Sequence, residues 1–149
     1  MTDRSELERM YKRSVRTCLL IAVVPLVLVG VAFMMADPAV PGAPGSGTAS
    51  PILLVILGVV GLSPLVTAPL IRRVGKRVAS ISAEGISPED AVALFSTAEC
   101  AVWVIAVLMG FVGFVQGAPW AYLLAGVAVS LAGMAYSFPR WPVFIETGQ

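Results

Sequence analysis

The chain has 149 residues and a formal net charge of +1, with 58% hydrophobic and only 13% charged residues. A soluble domain is about 45–50% apolar and about 25% charged, so this composition excludes a water-soluble fold and predicts that lipid covers part of the surface. The near-neutral charge gives no indication of a nucleic-acid partner. Histidine, the commonest general base and metal ligand, is absent from the sequence. Cys18 and Cys100 are too few and too far apart for a zinc motif, and we expect no cofactor and no metal.

Four apolar stretches are long enough to cross about 30 Å of hydrocarbon, which takes about 20 helical residues. The predicted spans cover residues 17–36, 51–71, 91–116 and 119–138. A capping box of Ser5 and Glu8 predicts a short helix within 1–16 that continues into the first span. Gly117 and Pro119 can close one helix and open the next, which predicts a tight hairpin between the third and fourth spans.

The basic residues predict the orientation, because they remain on the cytoplasmic side of a membrane. All ten lie in the N-terminal arm 1–16, the loop 72–90 and the tail 139–149, whereas the only charge in the Pro/Gly-rich loop 37–50 is Asp37. We therefore predict an all-α integral membrane four-helix bundle of two antiparallel transmembrane hairpins, with cytoplasmic N and C termini and an extracytoplasmic, flexible 37–50. The basic cluster after the second span either fixes this topology or binds anionic lipid headgroups; its members are Arg72, Arg73, Lys76 and Arg77.

Small residues share one face of each of the last two spans, and such residues let membrane helices approach closely. The predicted packing residues are Ala106, Gly110 and Gly113 in the third span and Gly126, Ser130 and Gly133 in the fourth. Prolines lie inside the first two spans, at Pro25, Pro64 and Pro69. They predict either simple kinks or the broken helices that mark transport sites.

Glu99 is the only charge inside a predicted span. A charge there costs at least about 2.5–3.5 kcal/mol, so the carboxylate should be protonated, paired or in contact with water. Antiparallel packing from the tight turn places it level with Tyr136 and beside Ser137, with Arg140 within reach of a snorkelling guanidinium. These three are the candidate partners, and Arg16 is a fourth. Two hypotheses remain open: Glu99 ties spans three and four together, or it is a proton or cation site.

Two resemblances bear on this choice. Ala98-Glu99-Cys100 before an apolar helix resembles the ion-binding helix of rotary ATPase proteolipid c subunits, which implies ion translocation through Glu99. The carboxylate here is in the third span rather than the fourth, and the two halves show no duplication. The whole chain resembles small, uncharacterised bacterial four-span membrane proteins with a glutamate early in span three and a Phe-Pro-Arg sequence after span four, here Phe138-Pro139-Arg140. That resemblance implies the bacterial plasma membrane and a pairing of Glu99 with Arg140.

The small-residue packing faces favour a non-catalytic multi-pass protein, either a homo-oligomer or an accessory subunit of a membrane complex. Its expected partners are membrane lipid and either further copies of itself or other membrane proteins. The alternative is a proteolipid-like protein that translocates protons or cations through Glu99. An enzyme is the least favoured hypothesis, because no nucleophile–base pairing is visible. Cys100 follows Glu99, but its side chain points about 100° away around the helix, as expected of an inert buried thiol.

Overall fold

The computed structural model describes residues 4–36, 43–81 and 88–139. Within those ranges the regular structure is entirely α-helical. The helices in chain order are α1 (Arg4–Met35), α2 (Pro51–Gly61), α3 (Pro64–Ile81), α4 (Pro88–Val102), α5 (Val104–Val115) and α6 (Trp120–Ser137). They form four stretches long and apolar enough to cross a membrane: Glu8–Met35, Pro51–Gly75, Ala93–Val115 and Trp120–Ser137. The predicted all-helical class and the four apolar helices of spanning length are therefore confirmed.

The second and third spans each contain a local break in the helix. Between α2 and α3 the chain tightens into a turn, in which the Ser63 N–H donates to the Val60 carbonyl at 3.1 Å. Pro64 follows directly and lacks an N–H to continue the helical pattern. Between α4 and α5 the Trp103 N–H donates to the Cys100 carbonyl at 3.3 Å, again three residues back. The other two prolines, Pro25 and Pro69, lie inside continuous helices.

The helices extend further than the predicted spans on the side where the basic residues lie. We predicted a loop over 72–90, but α3 continues to Ile81 and α4 begins at Pro88. The difference is physical: hydrocarbon thickness limits an apolar run, whereas backbone hydrogen bonds extend a helix through good helix formers such as Arg and Lys. The prediction of one helix from the N-terminal arm into the first span agrees with α1. There Glu8 forms an ion pair with Lys12 at 2.7 Å.

The third span, α4 with α5, lies at the centre and packs against each of the other three. Its apolar window is 44% buried, against 17% for each of the first two spans and 28% for the fourth. The first span packs chiefly on the third and fourth, and the second chiefly on the third. The first two spans are thus held mainly by the third and not by each other, a packing order that the predicted pair of hairpins did not specify. Helices associate where small side chains permit close approach, and the third span provides such a face.

The small-residue faces of the third and fourth spans meet at backbone distance. A Cβ atom on Gly126 would lie 2.7 Å from the Ala106 carbonyl oxygen, and one on Gly110 would lie 3.4 Å from the Gly126 Cα. A Cβ on Gly133 would overlap the indole ring of Trp103. Of the remaining predicted packing residues, Gly113 faces the Tyr122 ring and Ser130 is completely buried.

At the far end of the bundle, residues 43–50 lie over the turn between α5 and α6. The Gly45 N–H donates to the Phe114 carbonyl at 3.1 Å, and the Ala49 N–H donates to the Gly117 carbonyl at 3.2 Å. Gly45 and Gly117 have positive φ angles of 80° and 88°, which favour glycine. This part of the predicted flexible coil is thus anchored, while residues 37–42 lie outside the described ranges.

Candidate functional site

Arg72 and Glu99 form a two-point ion pair between α3 and α4. Arg72 Nη2 donates to Glu99 Oε1 at 2.6 Å, and Nε donates to Oε2 at 3.1 Å. One turn nearer the connection, Gly75 leaves room for the Phe95 ring, since a Cβ there would lie 2.7 Å from it. This close approach of the two antiparallel helices brings the guanidinium alongside the carboxylate. The Glu99 side chain is only 6% exposed, whereas that of Arg72 is 38% exposed.

A chain of two further hydrogen bonds connects this pair to α6. The Ser137 hydroxyl donates to Glu99 Oε1 at 2.9 Å and accepts a hydrogen bond from the indole Nε1 of Trp103, also at 2.9 Å. The Trp103 ring lies in the space left by Gly133, at the break between α4 and α5. The second, third and fourth spans are therefore joined through one carboxylate.

Both oxygens of Glu99 accept hydrogen bonds from protein donors, one from Arg72 alone and one from Arg72 and Ser137. A buried carboxylate is tolerated only when it is paired and hydrogen-bonded, and this arrangement meets both conditions. On the outer side the guanidinium lies 4.9 Å from the centre of the Tyr136 ring, within range of a cation–π interaction. Chemically, the arrangement fixes three helices in one register around a compensated charge.

The predicted partners of Glu99 differ in whether they contact its carboxylate. Ser137 contacts it directly, Tyr136 contacts it only through Arg72, and Arg140 lies outside the described residues. Arg16 is exposed on α1.

The cation that pairs with Glu99 is Arg72, which the sequence analysis had assigned to lipid headgroups or topology. In the rest of that basic cluster, Arg73 and Arg77 are exposed, and the side chain of Lys76 lies outside the described part. The error came from ending the second helix at Ile71. With α3 continuing to Ile81, antiparallel pairing with α4 places residue 72 opposite residue 99. Tracing the helix through the basic residues would have provided this signal.

Hydroxyl groups join the first span to the third on the neighbouring face. Ser14 Oγ lies 3.2 Å from Ser96 Oγ and 3.4 Å from Thr97 Oγ1. Ser96 and Thr97 also donate to the Ala93 carbonyl, as hydroxyls in membrane helices commonly do. Polar side chains from the other three spans therefore reach α4 within the single turn 96–99.

An apolar groove of about 190 Å³ lies between α2, α5 and α6. Glycines at Gly58, Gly61 and Gly126 form part of its walls, and among the described residues Tyr122 is the one polar side chain that lines it. The Tyr122 hydroxyl donates to the Leu54 carbonyl at 2.7 Å and so joins α6 to α2. The groove is suited to hydrocarbon.

Among the described residues, no group of three or more His, Cys, Asp or Glu side chains is placed to hold a metal ion. No protein-family model, curated protein or solved structure matches this chain. The functional argument therefore rests on the geometry around Glu99 and on the surface of the helices.

Proposed function

We propose that this chain is a non-catalytic, four-span integral protein of the bacterial plasma membrane that functions as a homo-oligomer or as an accessory subunit of a membrane complex. Its two termini and the region 72–90 face the cytoplasm, and the loop 37–50 faces outwards. Glu99 serves in this proposal as the ion-paired link that holds the helices in register.

The outward faces of the helices support insertion into lipid. Large apolar side chains there are widely exposed, among them Phe33 at 77%, Ile52 at 74%, Val66 at 72% and Leu20 at 65%. Soluble monomers rarely expose contiguous apolar patches larger than a few hundred Å². Hydrocarbon is the environment in which such faces carry no penalty.

The relative directions of the helices support the proposed orientation. Ser14 of α1 is level with Ser96 of α4, and Arg72 of α3 is level with Glu99 of α4, so the basic N-terminal arm and the basic end of α3 lie at the same end of the bundle. Residues 43–50 lie at the other end, against the α5–α6 turn. Positive residues collected at one end favour the cytoplasmic side for that end.

The observation that carries the structural role of Glu99 is that both of its carboxylate oxygens accept hydrogen bonds from protein donors. Translocation requires a carboxylate to exchange a proton or a cation, and an ion pair with fixed hydrogen bonds to its oxygens opposes that exchange. Here a two-point arginine and a serine hydroxyl occupy both oxygens. This favours the structural hypothesis for Glu99 over the proteolipid-like alternative.

The topology is tested by cysteine labelling in intact cells, in a chain whose own cysteines are replaced by alanine. Ser50→Cys, at an exposed position near the outer loop, should react with a membrane-impermeant maleimide. Glu8→Cys, exposed on α1, should react only after the cells are permeabilised. The reverse pattern would overturn the orientation, and recovery of the chain in the soluble fraction would overturn the membrane assignment.

The role of Glu99 is tested by proton flux in liposomes that contain the purified chain. We expect the parent protein to conduct no better than protein-free liposomes, and Glu99→Gln to leave that result unchanged. The matched control is Glu8→Gln, which removes an exposed carboxylate. A parent flux that Glu99→Gln abolishes and Glu8→Gln retains would contradict the proposal and establish translocation.

A further inference from the structure

The outward face of α1 carries three arginines in one row. Arg9, Arg13 and Arg16 follow one another at intervals of four and three residues, which places them on the same side of the helix. All three are exposed, and none forms an ion pair with another side chain that the structure describes. The buried Ser14 and Cys18 mark the packing face of α1 on the opposite side, so the arginine row is turned away from the bundle.

The same face of α1 continues beyond the arginines as an apolar surface. Its exposed members, which recur at helical spacing after Arg16, are Leu20 at 65%, Val23 at 48%, Val27 at 54% and Met34 at 88%. A cationic end followed by an apolar length complements an anionic phospholipid, in which a charged phosphate lies above the acyl chains. Charge on the lipid then meets charge on α1, and hydrocarbon meets hydrocarbon.

The length of α1 determines the depth of the arginines. Its apolar window, Glu8–Met35, has 28 residues and is therefore about 42 Å long, about 12 Å more than the hydrocarbon layer. Counted back from Met35, the roughly 20 residues that cross the hydrocarbon end near Arg16. Arg13 lies about 4.5 Å further out, within a headgroup layer about 5–7 Å deep, whereas Arg9 lies about 10 Å out and beyond that layer. Arg13 and Arg16 are thus at the level of the lipid phosphates.

We propose that the arginine row of α1 binds the phosphate of an anionic phospholipid such as phosphatidylglycerol. Arg13 and Arg16 donate hydrogen bonds to the phosphate oxygens, for which the planar guanidinium is well matched, and Arg9 attracts the charge from the aqueous side. In the basic cluster after the second span, by contrast, Arg72 is already engaged by Glu99. This inference rests on the membrane insertion in the proposed function, but not on its orientation or its assembly.

Native mass spectrometry of the purified chain in a neutral detergent measures the binding of single lipids. We expect the parent to bind dioleoyl phosphatidylglycerol about tenfold or more tightly than dioleoyl phosphatidylcholine, whose headgroup has no net charge. The double variant Arg13→Gln, Arg16→Gln should lose most of this preference, and Arg9→Gln should lose less of it. Equal affinities of the parent for the two lipids would overturn the proposal, whichever side of the membrane the cysteine labelling assigns to α1.

An exposed arginine on another span provides the matched control. Arg13→Gln and Arg73→Gln each remove one exposed positive charge from the same end of the bundle. Arg13→Gln should weaken the binding of phosphatidylglycerol about fivefold, and Arg73→Gln less than twofold. Equal weakening would mean that overall charge attracts the lipid and that α1 holds no site.

A soluble phosphate separates a lipid site from a site for free anions. Glycerol 3-phosphate carries the charge without acyl chains, and at millimolar concentration it should leave the bound phosphatidylglycerol in place. Displacement of the lipid by this competitor would show that the apolar row contributes nothing and would rule out the lipid as the specific ligand.

Discussion

The two ends of the third span are held by different kinds of interaction. At one end, called the Glu99 end, the contacts join polar side chains: Arg72, Glu99, Ser137 and Trp103. At the other, called the loop end, residues 43–50 bond to the α5–α6 turn through backbone groups, and the Phe114 ring packs on Trp120 with 4.6 Å between ring centres. A charge in a low-dielectric interior requires specific hydrogen-bonding partners. The loop end requires only that side chains fit without overlap and that the backbone adopts the φ angles its hydrogen bonds need.

This difference predicts how substitutions destabilise each end of the third span. At the Glu99 end, loss of one partner leaves another polar group buried and unpaired, so the cost depends on what remains. At the loop end, the backbone donors and acceptors remain after most substitutions, so damage should follow from steric overlap and from unfavourable φ angles. The largest losses of stability are therefore expected at the Glu99 ion pair, and smaller ones at the loop end.

Replacing Arg72 by Leu should give the largest loss of stability. It removes both guanidinium donors from a Glu99 side chain that is 6% exposed. Breaking a buried ion pair costs about 3–5 kcal/mol, and the partial exposure of Arg72 places the expected loss near the lower end of that range. The free energy of unfolding is measured by SDS titration in mixed micelles, followed by tryptophan fluorescence.

The neighbouring arginine supplies the control for that measurement. Arg73→Leu removes an exposed charge and should change the unfolding free energy by less than about 0.5 kcal/mol. The double variant Arg72→Leu, Glu99→Leu removes both charges and should recover part of the loss. Equal losses for Arg72→Leu and Arg73→Leu would show that the pair contributes nothing specific.

At the loop end, Gly45→Ala should destabilise more than Gly47→Ala. Both glycines have positive φ angles, 80° and 78°, so alanine is strained at either position by about 1 kcal/mol. At Gly45 the added Cβ would also lie 2.7 Å from the Phe114 ring, whereas at Gly47 nothing lies within 4 Å. Overpacking adds about 1 kcal/mol or more, which gives about 2 kcal/mol in total at Gly45.

The same SDS titration measures both glycine variants. Identical losses would mean that the contact with Phe114 contributes nothing and that backbone strain alone governs this loop. A loss at Gly45 larger than that of Arg72→Leu would reverse the proposed ranking of the two ends.

The sequence predicted those features of the fold that depend on a single physical quantity. Hydrophobic length is sufficient to locate four helices, and the periodicity of small residues is sufficient to identify the face on which Gly110 meets Gly126. Glu99 was identified because a charge within an apolar run is conspicuous. The interaction of Ser137 with Glu99 follows from the tight turn between the last two spans, which fixes their register.

The features that the sequence did not reveal depend on contacts between spans that no short turn connects. Pairing of Arg72 with Glu99 requires the helix to continue beyond the apolar run, and hydropathy carries no information about that. The contact of Ser14 with Ser96 depends on how α1 lies along α4, which no local pattern specifies. The central position of the third span is likewise a result of competition among several possible helix pairs.

Two serines on α6 provide the finest test of the Glu99 end. Ser137 donates to Glu99 and accepts from Trp103, whereas the Ser130 hydroxyl, about two turns away, is fully buried with no hydrogen-bond partner in the described structure. Ser137→Ala should cost about 1 kcal/mol, since hydrogen bonds in membrane interiors average about 0.6 kcal/mol each. Ser130→Ala removes an unsatisfied hydroxyl and should leave the unfolding free energy unchanged or slightly raised. Equal losses for the two variants would mean that the volume of the hydroxyl, and not its bonding, stabilises this helix, and the Glu99 end would then differ from the loop end only in its ion pair.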